Sequence, residues 1–164
     1  HREGGPIVAA LLDRDVTCEL VCDGVHVSPA VLRLAYGALG PGRTVVITDN
    51  MELAGTPTSA GTFAGQDIEV LGPTAVRTDG TIVGSVATMD QHFRNAIQLL
   101  GIDMATAFRL CASNPARVIG EGDRKGQVQR GFDADLVLLD AELRVVATVC
   151  RGVVAWITDP ARLG

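Results

Sequence analysis

Apolar positions along the chain fall into blocks whose period switches between helical and extended. Residues 6–12 are apolar throughout, with Pro6 suited to a first helical turn, and predict a short helix. Residues 16–22 are rich in Val, Leu and Cys and predict a strand, which ends at Asp23-Gly24-Val25-His26. Ser28-Pro29 then offers an N-cap followed by proline at the first helical position. Ala30, Val31, Leu34, Ala35 and Leu39 carry the helical period, and Gly40-Pro41-Gly42 closes it. Residues 43–48 contain the uncharged run Thr44-Val45-Val46-Ile47, with Asp49 just beyond. An unbroken apolar run of this kind marks a strand buried on both faces, as in parallel sheets. Strand, helix, strand predicts a βαβ unit whose handedness and burial bring Asp23, His26 and Asp49 to one C-terminal rim.

From residue 55 to residue 80 the texture turns to Gly, Pro and Thr. Small strands are predicted at 67–71 and 75–77 about a turn at Gly72-Pro73, with a further turn at Asp79-Gly80. A helix over 89–100 follows, with Phe93, Ala96, Ile97 and Leu100 on its apolar face, which leaves His92 on the solvated side. A second helix over 104–112 is capped by Asp103, and Asn114-Pro115 begins a short helical turn to Ile119. The chain closes with a predicted strand meander at 136–139, 145–150 and 153–157.

Composition narrows the class. At 164 residues with 47% hydrophobic and 20% charged content, the chain suits one globular core. Nineteen acidic against 14 basic residues argue against a nucleic-acid partner, which needs a basic face. No apolar run approaches the roughly 20 residues that span a bilayer, so no membrane partner is expected. The opening residues His1-Arg2-Glu3-Gly4-Gly5 do not read as a secretory leader, and without an initiating Met the chain is expected to begin inside something longer. The four cysteines show no Cys-x-x-Cys pair. Cys18 and Cys22 lie about 13 Å apart along a strand, too far to bridge. All four are expected to be small buried hydrophobes in a reducing compartment, the cytoplasm by default.

Candidate chemistry is sparse. His1, His26 and His92 show no metal-ligand spacing, and nucleotide-binding loops and nucleophile elbows are lacking. Asp49 sits past a strand end, where α/β barrels keep their chemistry, although an aspartate there also closes turns. His26 follows a strand end and is the histidine best placed for substrate contact. Gly84-Ser85 ahead of a helix could offer backbone N–H groups to an anion, or serve as an ordinary turn.

The order Arg2-Glu-Gly-Gly-Pro6, Asp23-Gly-Val-His26, Val-Val-Ile-Thr-Asp49, Asp79-Gly-Thr-Ile-Val-Gly-Ser85 and Thr88-Met89 resembles the N-acetylglucosamine-6-phosphate deacetylase family of amidohydrolases. Ala112-Ser-Asn-Pro-Ala-Arg117 and the segment from Gly131 to Asp140 fit as well. The resemblance covers essentially the whole chain but only the C-terminal part of the family's. It implies an α/β fold: the C-terminal portion of a (β/α)8 TIM barrel plus part of a small β-sandwich. The last barrel units would occupy 1–58, a small β insertion 59–80, barrel-packing helices 81–122 and the sandwich strands 123–164. It also implies hydrolysis of the acetamide of N-acetylglucosamine 6-phosphate to glucosamine 6-phosphate and acetate, in a cytoplasmic homodimer.

In that resemblance Asp49 is the catalytic acid/base, acting on a water whose pKa a divalent metal, zinc or another transition metal, has lowered. Asp23, Gly24, Val25 and His26 are implied in substrate contact. Arg2 would meet the sugar phosphate, for which a guanidinium's planar fork is suited. Ile82, Val83 and Gly84 match a loop that touches substrate through its backbone. The phosphate pocket is implied to draw on a neighbouring subunit. The family's metal ligands, a glutamate and two histidines, are expected upstream of His1, so no metal ligand is assigned to this chain. Asn50 departs from the small residue usual after the aspartate. Two other readings stay open: an amidohydrolase acting on a cyclic amide or other N-acyl group, and a non-catalytic fragment or assembly module.

Overall fold

In the computed structural model, which describes residues 2–159, the first two extended runs are parallel neighbours. β1 (Cys18–Val21) and β2 (Thr44–Ile47) pair from Cys18 with Thr44 through Val21 with Ile47. Parallel strands need a crossover, and α2 (Pro29–Leu39) supplies it. The Ser28 hydroxyl accepts the Val31 N–H at 3.4 Å to start α2, and Gly40, at φ 69°, ends it. Leu20, Cys22, Leu32 and Val46 from this unit bury themselves with Ala96, Leu100 and Leu110 to form the main core.

α1 (Gly5–Leu12) precedes the unit and is tied to it by Arg43. The Arg43 guanidinium donates to the carbonyls of Ala10 at 3.2 Å, Leu11 at 2.8 Å, Val16 at 3.1 Å and Ala38 at 3.3 Å, and also to Asp13. Ala10, Leu11 and Ala38 belong to the last turns of α1 and α2, where carbonyls lack an intrahelical partner. A cation there also meets the negative ends of both helix dipoles.

A four-stranded antiparallel sheet follows: β3 (Ala60–Phe63), β4 (Gln66–Leu71), β5 (Thr74–Arg77) and β6 (Ile82–Ser85), in that order. β4 and β5 meet the expectation; β3 and β6 do not. Ala60-Gly-Thr-Phe has little apolar content to betray a strand, and Gly84 interrupts the short run Ile82-Val-Gly-Ser that the resemblance matches to a loop. β6 carries the sheet to Ser85, beyond the end at 80 expected for the small β insertion. Leu53, Ile68 and Ala75 are its buried centre, with Met51, Val70, Val83 and Val86 packed around them.

α3 (Met89–Leu100) begins where the Thr88 N–H donates to the Gln91 side chain at 2.9 Å, and Gly101, at φ 68°, closes it. Its fully buried stripe is His92, Ala96 and Leu100, at spacings of four. The expected stripe was rotated by one position, and His92, expected on the solvated side, has no exposed surface. α4 (Met104–Phe108) is shorter than expected and runs into one π-helical turn, Arg109–Ser113.

Two compact units divide the chain, His1–Cys111 and Ala112–Gly164, so the boundary falls inside the 81–122 stretch expected to hold barrel-packing helices. In the second unit α5 (Asn114–Val118) precedes an antiparallel meander of β7 (Leu136–Leu139), β8 (Val145–Cys150) and β9 (Val153–Ile157), at the predicted bounds. Ahead of the meander, Lys125 pairs with Asp133 at 2.8 Å and also with Asp135, while Arg124 pairs with Asp133 at 2.5 Å. All four cysteines are free; Cys22 is buried, Cys18 and Cys111 are half-buried. Cys150 is exposed, against expectation, because it ends β8 at the turn into β9. No helix among the described residues is long and apolar enough to cross a membrane.

Replacing Arg43 by Ala strips these carbonyls of a charged donor, and the expected loss is about 1.5–3 kcal/mol in chemical denaturation. Arg43→Lys should recover only part of it, because an ammonium lacks the planar fork. An unchanged unfolding midpoint in Arg43→Ala would contradict the clamp.

Candidate active site

Asp23 and Asp49 each stand two residues past the end of their strand, at the same end of the parallel pair. The Asp23 side chain is completely buried. Its Oδ1 accepts the N–H of Val25 at 2.9 Å and of His26 at 3.0 Å, and its Oδ2 faces His26 Nδ1 at 2.5 Å. Gly24, at φ 77°, permits the tight turn that brings these donors back onto the carboxylate. Burial alone would push the Asp23 carboxyl up. The Val25 N–H, the His26 ring and the His26 N–H outweigh it, and the carboxyl lies below its ordinary value. A depressed carboxyl stabilises the fold above the unfolded value of about 3.9, and that contribution is lost only as pH falls further. Across the neutral range Asp23 is therefore an anion.

With Nδ1 engaged by an anion, the proton of His26 belongs on Nδ1, and Nε2 points the other way. Nε2 lies 3.7 Å from Asp49 Oδ2, within ion-pair reach but too long for a direct hydrogen bond. Asp49 keeps 56% of its side-chain surface open, whereas His26 keeps 18%. The rim thus presents a solvent-facing carboxylate beside an imidazole that a buried anion holds in place.

The backbone at Asp49 is itself unusual, with φ 53°. Aspartate tolerates this left-handed conformation better than most residues, yet such strain persists only where neighbours over-determine it. β6 does so: the Ser85 N–H donates to the Asp49 carbonyl at 2.8 Å, and the Met51 N–H donates to the Ser85 carbonyl at 2.9 Å. Asn50 bridges to Ser85 in parallel sense and is exposed, so its side chain does not disturb the packing. Gly84 is required by close approach. A Cβ there would sit 2.5 Å from Met51 Cγ and 3.1 Å from the Asp49 carbonyl oxygen.

The structure therefore gathers Asp23, Gly24, Val25, His26 and Asp49. Ile82, Val83 and Gly84 lie in strand β6 and not in a loop, and Ser85 at its end bonds the 49–51 backbone. Gly84-Ser85 is not an open anion cradle either. The Ser85 N–H is taken by Asp49, and its buried hydroxyl bonds Pro73 and Ala87, each at 3.1 Å. Arg2 is exposed, three residues before α1. His1 lies outside the described residues. Sequence reasoning missed Arg43, Met51 and His92. A Gly flanked by Val83 and Ser85 in an otherwise extended run was the available sign that another backbone approaches closely there. Among the described residues no group of three or more His, Cys, Asp or Glu could hold a metal ion. His26 with Asp49 does not amount to a complete donor set for a metal ion.

Comparison with known proteins adds four findings. The Amidohydro_3 model, described as an amidohydrolase family, matches residues 19–155. The N-acetylglucosamine-6-phosphate deacetylase of Bacillus subtilis (strain 168) is 36% identical over 161 residues, which cover 98% of this chain and 41% of that protein. A putative N-acetylgalactosamine-6-phosphate deacetylase of Escherichia coli (strain K12) is 34% identical, with 94% of this chain and 92% of that protein covered. Among solved structures, a mutant N-acetyl-D-glucosamine-6-phosphate deacetylase from Mycobacterium smegmatis, in complex with N-acetyl-D-glucosamine-6-phosphate, superposes with a TM-score of 0.86 at 37% identity. That superposition covers 94% of this chain and 41% of the Mycobacterium chain. The chain thus spans about two-fifths of the length of the Bacillus relative.

Gly84→Ala should cost about 1–3 kcal/mol by forcing the 49–51 segment away from β6. Adding Met51→Ala removes the atoms that the new methyl would strike and should restore part of the loss. Equal stability of Gly84→Ala and the parent in urea would show that the approach is not tight.

Proposed function

Because the chain belongs to the amidohydrolase family, we propose that it carries the acid/base rim of a deacetylase acting on N-acetylglucosamine 6-phosphate. Water adds to the acetamide carbonyl, the C–N bond breaks, and glucosamine 6-phosphate and acetate leave. The observation that carries the reading is Asp49: open to solvent, held by β6, and 3.7 Å from an imidazole that a buried carboxylate orients. Asp49 takes the proton of the attacking water and returns it to the departing amine, which makes one carboxylate serve as base and then as acid. His26, with Nδ1 tied to Asp23, offers Nε2 to a polar group of the substrate. Gly24 and Val25 line the same turn, and Ile82, Val83 and Gly84 meet the substrate through their backbone.

The reading is supported by the deacetylase names of the similar proteins and by the sugar phosphate in the Mycobacterium complex. In the same proposal β1, α2 and β2 are the last units of a (β/α)8 barrel, and β7, β8 and β9 are part of a small sandwich. The divalent metal and its ligands belong to the part of the protein upstream of His1. Arg2 receives the phosphate, in a pocket shared with a second subunit of a homodimer. The same proposal puts the protein in the cytoplasm, a reading its free cysteines support. The Escherichia coli relative favours one variant of this reading, in which the sugar is the galactosamine epimer.

In a chain carrying the upstream part, Asp49→Asn should leave substrate affinity largely intact and lower turnover by about 10²–10⁴-fold. Turnover at the parent level would sink the assignment. Arg2→Ala should raise KM for the 6-phosphate of either epimer and scarcely alter turnover of the unphosphorylated sugar. An equal loss on both substrates would remove Arg2 from the phosphate site.

A further inference from the structure

His92 takes no part in the chemistry assigned to the rim. Its ring is fully buried, and neither Nδ1 nor Nε2 has a hydrogen-bond partner. Leaving buried polar atoms bare is unfavourable, and a phenylalanine or leucine would occupy the same volume without that penalty. Filling space therefore does not account for an imidazole at this position. Its place does suggest a role. One turn further along α3, Asn95 Nδ2 donates to the Cys22 carbonyl at 2.9 Å, on the residue just before Asp23. This part of α3 thus rests on the end of β1, behind the carboxylate that orients His26.

We propose that His92 is a positioning residue for the Asp23–His26 pair, and that it holds α3 against the end of β1 only as the neutral imidazole. A proton on the ring would bury a cation whose nitrogens complete no hydrogen bond, and the contact between helix and strand end would open. The inference concerns the geometry of the pair and not the identity of the substrate.

The surrounding charges are consistent with a neutral ring. Burial pushes His92 below its ordinary value, Asp23 draws it upward, and His26 pushes it down again. The backbone of Ala87 favours the cation, but neither ring nitrogen completes a hydrogen bond to it. On α3 itself Asp90 and Arg94 pair with each other at 2.8 Å. From α2, Arg33 donates to the Leu99 carbonyl at 3.2 Å, at the far end of α3. Ahead of α4, the Asp103 side chain accepts the Thr106 N–H at 2.7 Å, with Arg109 nearby. β2 has no charged residue of its own, and Asp49 beyond it faces His26. A folded-state histidine below its unfolded value makes its full contribution above about pH 6.5, and the contribution is lost as pH falls through that range.

The test compares the full chain with His92→Gln and His92→Leu, following thermal melting between about pH 7.5 and pH 5.5. The parent midpoint should fall by at least ~2–4 °C over that interval, and both variants should flatten the dependence. Proton–nitrogen NMR of the histidine rings supplies a readout that a purely structural role would not move. The signal lost in His92→Gln should stay neutral across that interval, and the Nδ1 proton of His26 should exchange faster in His92→Leu. If neither variant folds, through-bond assignment of the parent ring signals decides the point alone. An ordinary titration of His92, or the same pH dependence of melting in all three proteins, would overturn the proposal.

Discussion

A carboxylate taken entirely out of water must be met by donors, and Asp23 is met by three. Two are main-chain N–H groups from the turn that follows it, and the third is the ring of His26. That requirement folds residues 23–26 back on themselves, with Gly24 absorbing the left-handed backbone. The imidazole then has one face spent on Asp23 and the other turned to the rim. Everything proposed for the site depends on this orientation, because Asp49, just past the neighbouring strand, is solvent-exposed and meets no comparable set of donors among the described residues. One residue is locked so that the other can stay open.

Asp49 is controlled through its backbone instead. β6 adds two hydrogen bonds to the 49–51 segment, and the missing side chain at Gly84 lets the two backbones approach. The parallel pair and the antiparallel sheet are thus joined at the residue that bears the chemistry. A strained φ at Asp49 is what remains when one segment must leave β2 and immediately run alongside β6. Arg43 does analogous work at the opposite end of β2. Its guanidinium gathers carbonyls from the ends of α1 and α2, which positions the helix that follows Arg2.

The βαβ unit was legible because each of its parts has a local signature. Ser28-Pro29 and Gly40 bound the helix, and Thr44-Val45-Val46-Ile47 reads as a buried strand. The closing meander was equally readable from its alternation of β-rich runs and turns. β6 was not, since Ile82-Val-Gly-Ser is a strand only by virtue of pairing with β5 and bridging to Asn50. The burial of His92 was likewise illegible: Phe93, Ala96 and Ile97 pull the apparent apolar face one position round, and only the packing of α3 on α2 and β2 selects the stripe that is buried.

What the amino-acid sequence determined by itself was the order of the elements and the presence of two aspartates and a histidine just past two strand ends. Those follow from local propensity, capping and periodicity, which act over a few residues. What tertiary structure decided was the use of each: Asp23 buried as the orienting anion, Asp49 exposed and gripped through its backbone, Gly84 pressed against Met51, His92 sealed in the core. Such outcomes depend on atoms brought together from distant parts of the chain, and no local pattern encodes the desolvation and close contact that follow.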